Sequence, residues 1–134
     1  MSDSAPLPIN PTGELVIRTL AMPADANGNG DIFGGWLISQ MDLGGAILAR
    51  NTAHSRVTTV AIDGMAFIHS VAIGDNVSCY ARLLKIGRTS MRIDVEAWVQ
   101  RFTDGGQVRV TEGVFTYVAI DSAGKPQAVE RIDS

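Results

Sequence analysis

DANGNGDIFGGWLISQMDLGGAILAR, residues 25–50, decides how the rest of the chain must fold. From Gly34 to Ala49 it reads as a helix that is apolar almost all the way round, and a helix with no polar face belongs inside a protein. Asp42 is the only ionisable residue of that helix before Arg50. Ile38 and Ala46 stand one turn away on either side, with Ser39 and Gly45 at i±3, so no Lys or Arg of the same helix can pair with it. A buried carboxylate without a partner is costly and needs a reason. Desolvation of its charged form suits it to general-base work. Gly34 and Gly35 open the helix, where a missing side chain lets a ligand reach backbone N–H groups at the positive end of the dipole.

The flanking sequence reads as strands. Upstream, Glu14 to Met22 (ELVIRTLAM) forms a first strand that Pro23 ends, and a polar Gly- and Asn-rich loop leads into the helix. Downstream, Val57 to Ile68 is rich in β-branched residues and reads as a second strand. Asn76 to Ile86 follows, with Val77, Cys79, Ala81 and Leu83 on one face. Met91 to Val99 alternates most cleanly: Met91, Ile93, Val95, Ala97 and Val99 face one way, and Arg92, Asp94, Glu96 and Trp98 the other. That period of two predicts a sheet with one face buried. Asp104-Gly105-Gly106 marks a hairpin turn before a last strand, Val108 to Ile120. Strand, helix and four further strands make an α+β fold, an antiparallel five-stranded sheet wrapped around one long central helix. The side of the helix that the sheet leaves bare is best covered by a second subunit. Residues 1–13, with Pro6, Pro8 and Pro11, are expected to be a disordered lead-in, 14–126 the domain, and 127–134 a polar tail.

Composition narrows the function classes. With 46% hydrophobic and 19% charged residues the chain is not a disordered one. A net charge of -3 gives nucleic-acid binding no support. Cys79 is the one cysteine, which fits a reducing compartment, and the opening MSDSAPLPINP has neither a basic nor an apolar signal region. No run reaches the roughly 18 apolar residues of a membrane helix. A cytoplasmic protein without membrane or nucleic-acid partners is expected.

The stretch MPADANGNGDIFGGWLISQMDLGGA resembles the start of the YciA-like acyl-CoA thioesterases of the hot-dog fold, and TVAIDGMAFIHSVAIGD (59–75) and KIGRTSMRIDVEAW (85–98) resemble them as well. The likeness runs from about Leu15 to Pro126. Ser70 stands where the family usually has proline. The resemblance implies an acyl-CoA thioesterase that releases a carboxylic acid and coenzyme A. No cofactor is implied, coenzyme A being part of substrate and product. It implies that Asp42 activates a water or attacks the thioester carbonyl itself, that Asn27 binds or orients the reacting groups, and that the Gly35 N–H serves as the oxyanion hole, beside Gly34. It further implies a homodimer with active sites shared between subunits, and a trimer of such dimers. The residues agree chemically: thioester hydrolysis needs a base or nucleophile and donors for the oxyanion, while thiolate leaves without a strong acid.

Simpler readings stand beside these. Asn27 is most often a turn residue, and Asp31 most simply caps the helix. His54 and His69 have no Gly-x-Ser-x-Gly elbow to serve and fall short of a metal site, so no metal is expected. His54 is placed near the substrate and His69 in a turn. Cys79 reads as a core thiol and Trp98 as an interface candidate. Arg88, Thr89 and Ser90, in the turn after Gly87, suit coenzyme A phosphates, and Arg56 is a second such candidate. The alternative function is a non-catalytic acyl-CoA binding hot-dog module, which would be expected to lack the helix acid. A hot-dog dehydratase wants a histidine paired with a carboxylate, and residues 25–50 hold no histidine.

Overall fold

The computed structural model describes residues 10–129, and in it the opening stretch builds one long helix, α1 (Gly34–Ala53). Leu37, Met41, Gly44, Gly45, Ala49 and Ala53 recur every three or four residues and form its buried face. Small residues there let the backbone press on the sheet: a Cβ on Gly44 would come 2.7 Å from Val16 Cγ2 and 3.6 Å from Cys79 Cβ. The helix ends at His54, left-handed at φ 55, whose N–H donates to the Arg50 carbonyl.

The strands are β1 (Glu14–Leu20), β2 (Arg56–Asp63), β3 (Asn76–Ile86), β4 (Ser90–Gln100) and β5 (Gln107–Ile120). They form one antiparallel sheet in the order β1-β3-β4-β5-β2, so β1 and β2 are its edges. The expected α+β architecture is present, with α1 lying across the sheet. The core is the layer between them, where Val77, Cys79, Ala81, Met91, Ile93, Val95, Phe115 and Tyr117 meet the helix.

Four sequence expectations need correction. The second strand stops at Asp63 rather than Ile68, because Gly64 takes a left-handed φ of 74 and breaks the ladder. Beyond it the chain holds to β5 by single bonds, Thr111 Oγ1 to the Ala66 carbonyl at 2.7 Å and Ile68 N–H to the Val110 carbonyl at 2.8 Å. The fourth strand is buried on both faces: Asp94, Glu96 and Trp98 are only 4%, 2% and 1% exposed. Residues just before β1 cross that outer face. Thr12 donates to Glu96 through its N–H at 3.3 Å and its hydroxyl at 2.7 Å, and Trp98 Nε1 donates to Glu96 Oε1 at 2.8 Å. Trp98 is therefore packed inside its own chain. Third, the inner end of the proposed lead-in is fixed, by Thr12 and by Gly13, whose Cβ position lies 2.5 Å from the Ala81 carbonyl oxygen. Fourth, the start of the proposed tail is fixed too. Gln127 N–H donates to the Ala119 carbonyl, and Val129 is buried with its N–H on the Arg88 carbonyl. Residues 1–9 and 130–134 lie outside the described residues.

The turn at Ser70 is braced by an arginine. Arg101 Nη1 donates to the Ser70 carbonyl and to Asp75 Oδ2, both at 2.8 Å. Burial pushes the Asp75 carboxyl up, but donors from Ala72, Phe102 and Arg101 outweigh it and hold the group below its usual range.

Candidate active site

Asp42 lies two turns into α1 and is half-buried. Among the described residues it has no cationic partner, as the helix sequence predicts, yet it is not unpartnered. Thr59 Oγ1 on β2 donates to Oδ1 at 2.7 Å, and Tyr117 Oη on β5 lies 3.1 Å from the same oxygen and 2.8 Å from the Asp42 carbonyl. Thr59 and Tyr117 are register partners across β2 and β5, so the sheet delivers both hydroxyls to one point. Gly45 makes the room: a Cβ there would collide with the Tyr117 hydroxyl. Burial first, and then the Asp42 charge and hydrogen bond, push the Tyr117 phenol far up, so it stays a donor. Both donors converge on Oδ1. Oδ2 accepts no hydrogen bond among the described residues.

The helix start is open. Phe33 is the N-cap and gives no side-chain cap, so Asp31 does not cap α1. Its own N–H instead reaches Asn27 Oδ1 at 3.2 Å, closing the preceding loop. Trp36 and Leu37 both donate to the Phe33 carbonyl, while the N–H groups of Gly34 and Gly35 donate to nothing among the described residues. A Cβ on Gly35 would meet nothing within 4 Å, so the chain's own packing does not require glycine there. Beside Gly34 opens a pocket of about 280 Å³, lined chiefly by Ile32, Phe33, Leu37, Phe67 and Val110, with His69 in its wall.

Asn27 serves its own loop. Its Oδ1 accepts from Asn29 N–H at 2.8 Å as well as from Asp31, and its N–H donates to the Asp31 carbonyl at 2.7 Å. The carboxamide Nδ2 donates to nothing among the described residues, and Asn27 makes no hydrogen bond to Asp42 within one chain.

Arg56, Arg88, Thr89 and Ser90 gather at the far end of the sheet. Arg56 faces Ile120 and Ser90 faces Val118 in the strand register. The turn is braced by its backbone: Thr89 and Arg88 carbonyls accept from Ala119 and Val129, and Gly87 N–H donates to Ser90. The Arg88 side chain is exposed. Cys79 is buried against the helix, and burial pushes its thiol up to about 12, which rules out an activated nucleophile.

Thr59 and Tyr117 are the site residues that sequence reading missed. A signal existed. Phe115, Tyr117 and Ala119 alternate on the inward face of β5, which aims a phenol into an apolar core whose helix carries one acid.

A sheet wrapped over a helix that carries one acid, with a bare glycine start, is the build of a hot-dog thioesterase. Residues 29–101 match the thioesterase superfamily. The acyl-CoA thioester hydrolase YciA of Salmonella typhimurium is 58% identical over 120 residues, covering 87% of this chain and 90% of that protein. YciA of Escherichia coli K12 is 57% identical over 122 residues, covering 89% and 92%. A hexameric thioesterase from Yersinia pestis superposes with a TM-score of 0.87 at 58% identity, covering 90% of this chain and 99% of that one. A hexameric hotdog fold thioesterase of Campylobacter jejuni gives 0.83 at 40% identity, covering 88% and 91%. The chain belongs to the thioesterase superfamily and, within it, to the YciA-like acyl-CoA thioester hydrolases.

Proposed function

We propose that this enzyme hydrolyses acyl-CoA to a free carboxylic acid and coenzyme A at a site shared by two copies of the chain. Asp42 Oδ2 takes a proton from water as that water attacks the thioester carbonyl. The Gly35 N–H of the other copy receives the developing oxyanion, and its Asn27 Nδ2 orients the reacting groups. The apolar pocket beside Gly34 has the lining an acyl chain needs. The observation that carries the reading is the asymmetry of the Asp42 carboxylate: one oxygen is anchored by two hydroxyls, and the other accepts no hydrogen bond among the described residues.

Pairing of two copies is supported by what one chain leaves bare. Leu43 and Ile47 on α1 are 53% and 42% exposed, beside Val60 and Ile62 at 56% and 40% on the edge strand β2. Such an apolar face next to an open sheet edge suits a two-fold partner. The hexameric state of the Yersinia pestis and Campylobacter jejuni thioesterases supports further assembly, in this reading as a trimer of dimers. The reading needs no cofactor or metal, and it places the enzyme in the cytoplasm.

Release of free thiol from a panel of acyl-CoAs tests it. Wild type should turn over several of them, and Asp42→Asn should lose about 100-fold or more while staying folded. Tight binding of acyl-CoA by wild type with no thiol released would instead mark a binding module.

A further inference from the structure

Two Asn-Gly pairs, Asn27-Gly28 and Asn29-Gly30, stand side by side in the loop that leads into α1, and the chain holds no others. We propose that Asn29 is a site of spontaneous deamidation, and that the isoaspartate it leaves disables the neighbouring Asn27. The modification is argued from this loop alone. Its effect on catalysis rests on the thioesterase reading, in which Asn27 orients the reacting groups.

The chemistry is intramolecular and needs only water. The Gly30 backbone nitrogen gives up its proton to solvent base and bonds to Asn29 Cγ. The Cγ–Nδ2 bond breaks, ammonia leaves, and a cyclic imide remains. Water then opens the imide at one of its two carbonyls. Opening at Cγ leaves aspartate; opening at the main-chain carbonyl leaves isoaspartate, with the chain running through the former side chain. Glycine permits the attack because a side chain on the following residue would crowd the nitrogen and confine its backbone. Gly30 sits at φ 86, and a Cβ there would meet nothing within 4 Å, so no neighbour shields the nitrogen.

The two asparagines differ in what holds them. Asn27 Oδ1 accepts from Asn29 N–H at 2.8 Å and from Asp31 N–H at 3.2 Å, so turning this carboxamide toward the Gly28 nitrogen strains two bonds. Asn29 is exposed, and its carboxamide makes no hydrogen bond among the described residues. The Gly30 N–H donates to the Asn27 carbonyl at 3.2 Å, the long end of the usual range. Asn29 is therefore the asparagine that reacts first.

Isoaspartate adds one backbone atom between residues 29 and 30. The base of the loop is pinned, by the pairing of Ala26 with Ile32 and by Phe33 N–H on the Asp25 carbonyl at 3.0 Å. The extra atom must then be taken up among residues 27–31. Most of the bonds that fix Asn27 span the altered linkage: Gly30 N–H to its carbonyl, Asp31 N–H to its Oδ1, and its own N–H to the Asp31 carbonyl at 2.7 Å. Only the bond from Asn29 N–H lies wholly before it. Lengthening the chain there displaces Asn27 from the position that the helix start and the loop now give it.

The test is controlled ageing. Purified protein is held in mildly alkaline buffer at physiological temperature and sampled over time. Tandem mass spectrometry should place the exchange of NH2 for OH on Asn29 ahead of Asn27, with isoaspartate among the products. Thiol release from butyryl-CoA should fall in step with the isoaspartate fraction at position 29, each converted site losing about 100-fold. Asn29→Gln, which would have to close a larger ring, should start at wild-type activity and keep it through the same incubation. Asn29→Asp, freshly made, carries the new charge without the added backbone atom and should also start near wild type. The proposal is overturned by conversion at Asn27 before Asn29, by no conversion at Asn29, by equal decay of Asn29→Gln, or by isoaspartate at position 29 with activity retained. A fresh Asn29→Asp as impaired as aged wild type would put the loss on charge and overturn the backbone account. Should fresh wild type release no thiol, the hydrolase reading fails, and the peptide map still decides the modification site.

Discussion

Asp42, Thr59, Tyr117 and Gly45 form one unit. The acid is held by two hydroxyls on neighbouring strands, and the phenol can reach it only because residue 45 has no side chain. Removing the Tyr117 hydroxyl therefore tests whether positioning of the acid matters. Tyr117→Phe keeps the packing and deletes the bonds to the Asp42 carboxylate and carbonyl, leaving Thr59 alone to orient Oδ1. We expect a loss of about 1 kcal/mol in stability and about tenfold in kcat, with KM little changed. Steady-state kinetics beside a urea melt check this, and a full kcat with the lower stability would reduce Tyr117 to a core residue. Asp42 and the glycine start were legible in the sequence because an acid on an apolar helix stands out. The hydroxyls were not, because their approach depends on how β2 and β5 register against α1.

At the scale of elements, β4 shows where alternation informs and where it misleads. Met91, Ile93, Val95, Ala97 and Val99 face the helix as their period predicts. The opposite face was read as open because it carries charge, yet residues before β1 cover it, a contact 84 positions apart that no local pattern announces. β3 was legible to the residue, while β2 was read five residues too long across Gly64. The covered face holds Asp94, Glu96 and Glu112 with their carboxylate oxygens within 4.8 Å of one another. Among the described residues Asp94 Oδ2 has no hydrogen-bond partner. Burial first, then the hydrogen bond and charge of Glu112 and the charge of Glu96, push the Asp94 carboxyl up to about 7, against a smaller opposite pull from Arg82. Its folded value exceeds its unfolded one, so between about pH 4 and pH 7 the folded chain keeps a proton that the unfolded chain has lost. Stability from this group falls as pH rises through that window. Asp75, held below its usual range, acts in the other sense and loses its contribution at low pH. Asp94→Asn should accordingly raise stability by about 1–2 kcal/mol at about pH 8 and change it little at about pH 4.5. Paired denaturant melts of variant and wild type at both values read this directly, and an equal effect at the two would remove the titration from the account.

At the scale of the molecule, the proposed reading builds each site from two copies of the chain. Among the described residues Asn27 Nδ2, the Gly35 N–H and Asp42 Oδ2 have no hydrogen-bond partner, and no hydrogen bond joins Asn27 to Asp42 within a single copy. An apolar stripe on α1 and the bare edge of β2 lie where a second copy can seat. The all-round apolar helix is the sequence feature behind the proposed partner, whereas which residues would meet across such an interface depends on two chains and is legible in neither alone. The most direct measurement is complementation. Asn27→Ala and Asp42→Ala, each inactive by itself, are unfolded together and refolded, with subunit exchange verified by mass-tagged chains. With random pairing about half the dimers are mixed, and each mixed dimer has one site carrying both lesions and one carrying neither. The account predicts a return to about a quarter of wild-type thiol release. Verified exchange with no return of activity would contradict a site shared between two copies.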